Sequence, residues 1–338
     1  MTARLSSPHI HQPVSIQQVM KQVIIAMVPG IVAAIWILGW GVLVQCLLAV
    51  SFALLFEAIM LKLRRQPVRP FLFDGSVIIT ALLFALAITP FSPWWINLTG
   101  VGFAVIVVKH LYGGLGYNLF NPAMAGYIFV LLCFPVEMNH WPALPMTPGD
   151  PHGLAETLSV IFTGDATVAD GISGATPLGY MKSQIAGMAM ISEFNTSPLF
   201  GMVGGRGWEW MGLAWLAGGI WLLVKKIIQW HLPAAFLSSL FLISLVLHWS
   251  NADIYASPLF HIFSGGVLIA AFFIITDPVT TSATPRGKLV FAAGAAFIIL
   301  LIRNWGAYPD GIAFAVLIMN AAVPLIDRLT RPGIFGES

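Results

Sequence analysis

The stretch from Asp170 to Pro177 (Asp-Gly-Ile-Ser-Gly-Ala-Thr-Pro) places the Thr176 hydroxyl after two glycines and an alanine, with almost no bulk around it. Its two glycines can adopt backbone angles that are closed to other residues, and the proline fixes the exit of the turn. The Thr176 hydroxyl is therefore predicted to stand open to solvent, where a group could be attached or bound. The alternative is structural, with Thr176 capping a helix that begins near Leu178.

A second polar cluster precedes an apolar run at positions 117–123 (Tyr-Asn-Leu-Phe-Asn-Pro-Ala). Asn118 and Asn121 are three residues apart, a spacing that puts both amides on one side of a helix start. Pro122 suits the first helical turn, which makes Asn121 a natural N-cap. Amides at the start of a membrane helix also suit a neutral, hydrogen-bonding ligand. The two roles are compatible, and both stay open.

A carboxylate closes another apolar run at positions 276–282 (Thr-Asp-Pro-Val-Thr-Thr-Ser). Asp277 is costly at such a place unless it is paired or hydrated. It is a candidate ion ligand, proton site or cofactor contact. The structural alternative is an interfacial aspartate that caps a short helix through Thr280 or Thr281.

The remaining polar positions favour structural roles. Glu57, inside an apolar run, is predicted to extend its carboxylate to the membrane interface. The Gly-Gly-Arg-Gly segment at 204–207 could approach a phosphate with its backbone amides and Arg206, or serve as a flexible re-entry loop. Cys46 and Cys133 lie in apolar runs without CxxC spacing and are predicted to pack in the interior. The eight histidines show no metal-ligand spacing.

Composition places the chain in the membrane class. Hydrophobic residues make up 58% of its 338 positions and charged residues only 9%, with a mean hydropathy of +0.87. A soluble chain carries about a quarter charged residues. The net charge of +2 is too small to indicate a nucleic-acid partner. The N-terminal residues are polar and no cleavage site follows, so the first apolar run, from about Val23, is predicted to be a retained span.

Windows of about 20 apolar residues, the length that crosses a bilayer, predict ten membrane spans. The third and fifth are short or broken at their ends. The predicted spans are 23–39, 42–62, 75–90, 94–110, 120–136, 210–229, 233–250, 258–277, 288–303 and 308–327.

Basic residues sort to one side of this arrangement. With the N-terminus inside, thirteen of the sixteen lysines and arginines fall on the inner side, where such residues are retained. Only Lys182, Arg206 and Arg303 fall outside. Removing one span from either half would destroy this sorting, so the loop 137–208 is predicted to lie outside the cytoplasm. The inner group is Arg4, Lys21, Lys62, Arg64, Arg65, Arg69, Lys109, Lys225, Lys226, Arg286, Lys288, Arg328 and Arg331.

The predicted fold is all-α and polytopic, with about ten transmembrane helices in two inverted five-helix repeats and a folded loop between them. The loop is acidic, and its mixed runs at 154–162 and 178–191 predict short helices. The predicted segments are a cytoplasmic N-terminal segment 1–22, a first membrane half 23–136, the extracytoplasmic loop 137–208, a second membrane half 209–328 and a cytoplasmic tail 329–338.

A weak internal repeat suggests the inversion. Positions 75–90 resemble positions 264–278, and both stretches close on Ile-Thr shortly before a proline. Two copies with five spans each would have opposite orientations in the membrane. Such repeats place a binding site near the bilayer midplane, where broken helices meet.

The segment Ser-Gly-Ala-Thr at 173–176, preceded by Asp-Gly, resembles the flavinylation motif of membrane-bound, ion-translocating oxidoreductases. Its place between two five-span halves is similar to that in the RnfD/NqrB family, whose members belong to Rnf electron transport complexes and to sodium-pumping NADH:quinone reductases. The resemblance covers nearly the whole chain. It implies FMN joined to Thr176 by a phosphoester bond. The surrounding site residues would be Asp170, Ser173, Gly174 and Ala175.

The same resemblance implies a second, non-covalent flavin (riboflavin) near Asn118 and Asn121, with Asp277 as a candidate contact. It also implies a multi-subunit redox complex in a bacterial inner membrane, with an iron–sulfur subunit, a second covalent-flavin subunit and a flavin transferase for maturation. The chain has no iron–sulfur or nicotinamide signature, so those steps are expected of the partners.

The expected function is that of an integral membrane flavoprotein subunit that carries electrons and couples redox chemistry to ion transport. Such a chain is a translocase subunit rather than a complete enzyme. The alternative is a solute transporter or channel with an inverted repeat and no redox role.

Overall fold

The computed structural model describes residues 15–143, 153–164 and 173–331, which fold mainly into α-helices. Asp170, predicted to flank the attachment threonine, lies outside the described residues. So do positions 1–14 and 332–338 of the two predicted cytoplasmic segments. The long apolar helices make the chain a polytopic membrane protein.

The first half precedes residue 134. Its helices are α1 (Ile16–Leu38), α2 (Trp40–Leu63), α3 (Val68–Leu72), α4 (Ser76–Ala87), α5 (Trp94–Gly102, continued as a π-helix over Phe103–His110) and α6 (Pro122–Cys133).

A connecting segment follows, and it confirms the short helices expected there. Its elements are β1 (Trp141–Pro142), α7 (Leu154–Thr163), β2 (Ser173–Gly174), α8 (Pro177–Ala186) and α9 (Ile191–Phe194).

The second half begins at Trp208. Its helices are α10 (Trp208–Val224), α11 (His231–Ser250), α12 (Pro258–Phe263), α13 (Val267–Ile269, continued as a π-helix over Ala270–Ile274), α14 (Pro285–Trp305) and α15 (Ile312–Thr330).

Four of these helices begin with the same two-residue signal, a polar N-cap followed by proline. The side-chain oxygen of the cap accepts from a backbone N–H of the first turn, and the proline occupies the position where no N–H is needed. Local sequence therefore sets where these helices start. The pairs are Asn121–Pro122 at α6, Thr176–Pro177 at α8, Ser257–Pro258 at α12 and Thr284–Pro285 at α14.

Six helical stretches within the described ranges are long and apolar enough to cross a membrane by themselves. They are α1, α2, the combined α3–α4 stretch, α11, α14 and α15. The other four predicted spans correspond to the shorter helices α5, α6, α10 and α12–α13. At twelve residues each, α4 and α6 confirm that the third and fifth predicted spans are short.

The eighth predicted span, 258–277, is wrong as a continuous helix. The chain leaves the helix at Ser264, turns through Gly265 at φ +69°, and resumes as α13. A positive φ is open to glycine and strained for other residues. The Ser-Gly-Gly segment at 264–266 was the available signal for this break, but the apolar window that defined the span does not distinguish one long helix from two short ones.

The two halves repeat one packing scheme. In the first half α2 packs against α4 and α5, and in the second half α11 packs against α12 and α14. Across the boundary, α1 lies along α10 and α6 contacts α15. The first helices of the two halves therefore pack together, and so do the last.

The approach of α1 to α10 depends on two glycines. A Cβ atom at Gly218 would overlap the backbone carbonyl oxygen of Ala26, and one at Gly30 would overlap the ring of Trp215. Small residues at such positions let the backbones of membrane helices come close.

We expect Gly218→Ala to destabilise the protein by about 1–3 kcal/mol, because the added methyl group would have to displace backbone atoms. Gly294→Ala is a matched control. It is also in a helix interior, but its Cβ would meet the flexible end of the Met319 side chain. Thermal unfolding in detergent measures the difference, and equal Tm values for the two variants would contradict this account.

Candidate functional site

Thr176 is the N-cap of α8, and its Oγ1 accepts a hydrogen bond of 3.1 Å from the N–H of Gly179. The residue is half-buried and lines a cavity of about 160 Å³, which we name the Thr176 cavity. The capping role is confirmed. Capping and ligand attachment are compatible, because Thr176 lines the cavity while its side chain caps the helix.

The walls of the Thr176 cavity are mostly apolar and come from both halves and from the connecting segment. An apolar cleft with a few polar groups is the usual form of a cofactor site. Its lining includes Leu83, Leu86, Met124, Tyr127, Trp141, Leu178, Trp208, Ile269, Tyr308, Asp310 and Phe314.

The small residues before Thr176 form one strand of a short ribbon. β1 pairs antiparallel with β2, which places Trp141 opposite Gly174 and Pro142 opposite Ser173. A Cβ at Gly174 would lie 2.9 Å from the Cα of Ala143, so a larger residue there would push the ribbon apart. Ser173 and Gly174 thus hold Trp141 in the cavity wall, while Ala175 is exposed.

The Gly-Gly-Arg-Gly segment at 204–207 packs against the start of α8. The N–H of Gly205 donates to the Oγ of Ser264 at 2.8 Å, and a Cβ at Gly205 would come within 2.5 Å of the Pro177 ring. The segment is therefore a defined packing element between α8 and the break after α12, rather than only a flexible loop. A phosphate contact there stays a prediction.

Lys182 fastens α8 to the second half. Its Nζ donates to three backbone carbonyl oxygens, those of Ile302 (3.0 Å), Arg303 (3.1 Å) and Tyr308 (2.9 Å). Partial burial lowers the pKa of the Lys182 ammonium, whereas the three carbonyl oxygens favour its charged form. Cations at a helix C-terminus are also favoured by the helix dipole. The helix that begins at Thr176 is thereby docked on the end of α14.

Arg303 and Asp310 form an ion pair beside the Thr176 cavity. Arg303 Nη2 lies 3.1 Å from Asp310 Oδ2, and Arg303 Nε donates to Asp310 Oδ1 at 3.2 Å. The guanidinium also donates to the carbonyl oxygens of His261 and Ser264, at the break between α12 and α13. Sequence reasoning counted Arg303 only as an outer basic residue. An arginine and an aspartate at the turn between two apolar helices were the available signal.

A second cavity, of about 170 Å³, brings together Asn118, Asn121 and Asp277. We name it the Asn121 cavity. Asp277 is far from the two asparagines in sequence, yet all three predicted site residues line this one cavity. Lys109 and Ser76 line the same cavity, so its polar lining includes two amides, a carboxylate, a hydroxyl and an ammonium group.

Asn121 caps α6, as predicted. Its Oδ1 accepts from the N–H of Met124 at 3.2 Å, and Asn118 donates to the carbonyl oxygen of Phe120 at 3.0 Å. The backbone N–H of Asn121 donates to Oδ1 of Asn320 at 3.0 Å. Sequence reasoning missed Asn320, which lies 199 residues away on α15.

Asp277 accepts from the N–H of Val279 at 3.1 Å and from the hydroxyl of Thr280 at 3.0 Å. The expected cap is thus a local turn, since the residues that follow Asp277 up to the start of α14 form turns instead of a helix. This turn holds the carboxylate at the surface of the Asn121 cavity.

The two cavities adjoin at Leu83 of α4, which lines both. Leu83 is 5% exposed and belongs to the main hydrophobic core. Leu83 is therefore part of the wall of each cavity.

The prediction for Glu57 was wrong, because its carboxylate does not reach the membrane interface. Glu57 is 2% exposed, and its two oxygens lie 2.9 Å from Lys109 Nζ and 3.0 Å from His110 Nε2. Lys109 and His110 end the π-helical part of α5, a form often found at functional sites. Lys109 also donates to Ser76 at 3.2 Å, and Arg64 contacts His110 Nδ1 at 3.2 Å. A buried carboxylate has to be paired in this way.

Lys109→Met should cost about 3–5 kcal/mol of stability, because it leaves the Glu57 carboxylate buried without its ammonium partner. The double variant Lys109→Met, Glu57→Gln should recover most of this loss, and the exposed Lys225→Met serves as control. Thermal unfolding of the wild type, of the single variants Lys109→Met and Glu57→Gln, and of the double variant gives the coupling free energy. Additive losses in the double variant would contradict the pairing.

The two cysteines differ in burial, whereas both were predicted to pack in the interior. Cys46 is buried, but Cys133, at the end of α6, is exposed, so interior packing is wrong for it. No group of three or more His, Cys, Asp or Glu side chains suited to a metal ion occurs within the described ranges.

Comparisons with known proteins agree along almost the entire chain. A family model described as the NQR2, RnfD, RnfE family matches residues 4–336. A protein of Escherichia fergusonii, named as the D component of an ion-translocating oxidoreductase complex, is 48% identical over 345 aligned positions, covering 98% of this chain and 97% of that protein. A protein of the same name from a strain of Escherichia coli is 47% identical, with the same coverage.

Proposed function

This chain belongs to the NQR2, RnfD, RnfE family, and on that premise we propose that it is an integral membrane subunit of an ion-translocating oxidoreductase complex that carries FMN on Thr176. The full-length relatives, whose names make them components of such a complex, support the membership of a complex. The position of Thr176 on a cavity between two membrane halves is the single observation that carries the flavin assignment.

The residues of the Thr176 cavity fit a flavin. Its apolar walls suit a flat aromatic ring, and the attachment oxygen is fixed at one end by the α8 cap. Trp208 lines the cavity, and its Nε1 is buried without a hydrogen-bond partner among the described residues. An unpaired buried donor costs about 1–3 kcal/mol. The carbonyl and ring-nitrogen acceptors of an isoalloxazine would relieve that cost.

A flavin bound at this site supplies one- and two-electron redox chemistry. The contribution of the chain is to hold the phosphate end at Thr176, to surround the ring with apolar side chains and to fix α8 through Lys182. We propose that the Asn121 cavity holds a second, non-covalent flavin such as riboflavin. Leu83 would then lie between the two redox groups, and electrons would pass between them in the low-dielectric core.

The proposal includes the membrane arrangement. The chain would cross a bacterial inner membrane ten times, as two inverted five-helix repeats with both termini in the cytoplasm and the loop 137–208 outside. The equivalent packing of the two halves supports the repeat. Partners would supply the iron–sulfur and nicotinamide steps and a second covalent flavin. A flavin transferase would reach Thr176 from the outer side.

A transporter without redox function is the second candidate, favoured by the two cavities at the boundary between the halves. The absorption spectrum of the purified protein separates the two. A flavin peak that remains after denaturation favours the oxidoreductase subunit, and its absence favours the transporter.

Three substitutions at Thr176 separate flavin attachment from helix capping. With the flavin transferase co-expressed, Thr176→Ala should abolish flavin fluorescence in a denaturing gel and remove an N-cap worth about 1 kcal/mol. Thr176→Asn should also give a dark band while retaining stability, because asparagine caps as well as threonine. Thr176→Ser should keep the cap and the hydroxyl.

Thr163→Ala is the control, since it removes a hydroxyl from the neighbouring helix α7 and should leave the fluorescence unchanged. A fluorescent Thr176→Asn band, or a dark wild-type band, would overturn the assignment of FMN to Thr176.

The sidedness of the connecting segment can be measured with single cysteines in a Cys46→Ser, Cys133→Ser background. Ser183→Cys on α8 should react with a membrane-impermeant maleimide applied to intact spheroplasts. Gln66→Cys, between α2 and α3, should react only after permeabilisation. Both positions are exposed, so accessibility within the protein does not limit either reaction. The opposite pattern would contradict the proposed topology.

A further inference from the structure

We propose that Asn320 is the positioning residue for the ligand of the Asn121 cavity. This inference rests on the proposed function, specifically on a non-covalent flavin in that cavity. Asn320 is 4% exposed and lies in the middle of α15. It is not itself one of the residues that line the described cavity. Its influence has to act through the residues that it holds.

Both ends of the Asn320 amide are used, one by a residue that lines the cavity and the other by the residue that follows its Asp277–Val279 wall. Oδ1 accepts from the backbone N–H of Asn121 at 3.0 Å, and Nδ2 donates to the carbonyl oxygen of Thr280 at 2.9 Å. One partner is a donor and the other is an acceptor, so the two contacts fix the orientation of the amide. An asparagine is needed because the position requires an acceptor and a donor on a short side chain.

The two partners of Asn320 are directly linked to the groups that would face the ligand. Asn121 carries one of the cavity amides, and the Asn320 bond holds its backbone at the start of α6. Thr280 donates its hydroxyl to Asp277 Oδ2, so the bond to the Thr280 carbonyl fixes the turn that presents the carboxylate. Asn320 therefore sets the separation between an amide from the first half and a carboxylate from the second.

The geometry accounts for the placement of a polar residue at membrane depth. Removing a buried amide leaves its hydrogen-bond partners unsatisfied, and each unsatisfied group carries a desolvation cost. Asn320→Leu removes both contacts. Asn320→Asp keeps an oxygen that can accept from Asn121 and loses the donor to Thr280. Asparagine, aspartate and leucine at position 320 therefore make two, one and none of these contacts, with little change in side-chain volume.

The test uses the purified complex, with free riboflavin as the probe. Non-covalent flavin is removed, and the Kd for riboflavin is measured from the quenching of its fluorescence. We expect Asn320→Leu to raise the Kd by about tenfold or more and Asn320→Asp to have an intermediate effect. Fluorescence of the flavin on Thr176 in a denaturing gel should be unchanged in both variants, which shows that each chain is made and matured.

Asn97→Leu is the matched control. Asn97 is a fully buried amide that donates to Gln45 and does not line the Asn121 cavity. It should lower Tm without changing the Kd for riboflavin. If Asn320→Leu fails to accumulate, Asn320→Asp still decides, because a loss of riboflavin affinity that Asn97→Leu does not show at a comparable loss of Tm is specific to positioning.

A Kd within about twofold of wild type in a folded Asn320 variant would overturn the inference. Wild-type complex that lacks any riboflavin affinity would overturn it together with the second flavin, and would leave the FMN on Thr176 standing. A wild-type band without flavin fluorescence, together with normal riboflavin binding, would overturn the FMN on Thr176 and leave the second flavin standing. The two proposals therefore fail separately.

Discussion

Every break in a helix at membrane depth leaves N–H and C=O groups that lipid cannot satisfy. In this protein, polar side chains from other helices meet that need. Arg303 donates to the carbonyl oxygens of His261 and Ser264 at the break before α13. Asn320 serves the start of α6, and Gln45 donates to the carbonyl oxygens of Pro90 and Ser92 after α4. The short helices are stable because these few residues replace the missing water.

The same breaks create the two cavities. A continuous helix presents only side chains to its neighbours, whereas a helix that starts or stops inside the membrane also presents cap residues and turns. Asn121 and Asp277 are residues of this kind, and Thr176 does the same at the start of α8 in the connecting segment; each holds its own turn with a side-chain oxygen. Several of the polar groups that face the cavities therefore come from helix ends, and apolar side chains lie between them. Leu83 is the clearest case, since it belongs to both cavities.

Sequence reasoning succeeded where the deciding physics is local. The caps at Thr176 and Asn121 follow from a polar residue before proline, and the short third and fifth spans follow from the length of their apolar runs. It failed where a partner is distant in the chain. Glu57 looked like an interfacial carboxylate because its partner Lys109 is 52 residues away.

Asn320 gave no local signal at all, since its partners come from the other half and from the turn after α13. The break in the eighth span was missed for a different reason. Gly265 at positive φ decides it, and the Ser-Gly-Gly segment at 264–266 was a local signal, but the apolar runs before and after that segment let the predicted span continue through it.

The cap at Thr176 has a mechanical consequence. A threonine whose oxygen accepts from the N–H of Gly179 is restricted in its first side-chain torsion, so a group esterified there would lose one of the joints that an ordinary tether has. The anchoring helix cannot swing either, because Lys182 binds it to three carbonyl oxygens at the far end of α14 and beyond. The carrier would pivot about a fixed point, and its reach would be that of the ribityl phosphate arm alone. Any electron donor or acceptor would have to dock within reach of that arm, since the anchoring helix could not travel to meet it.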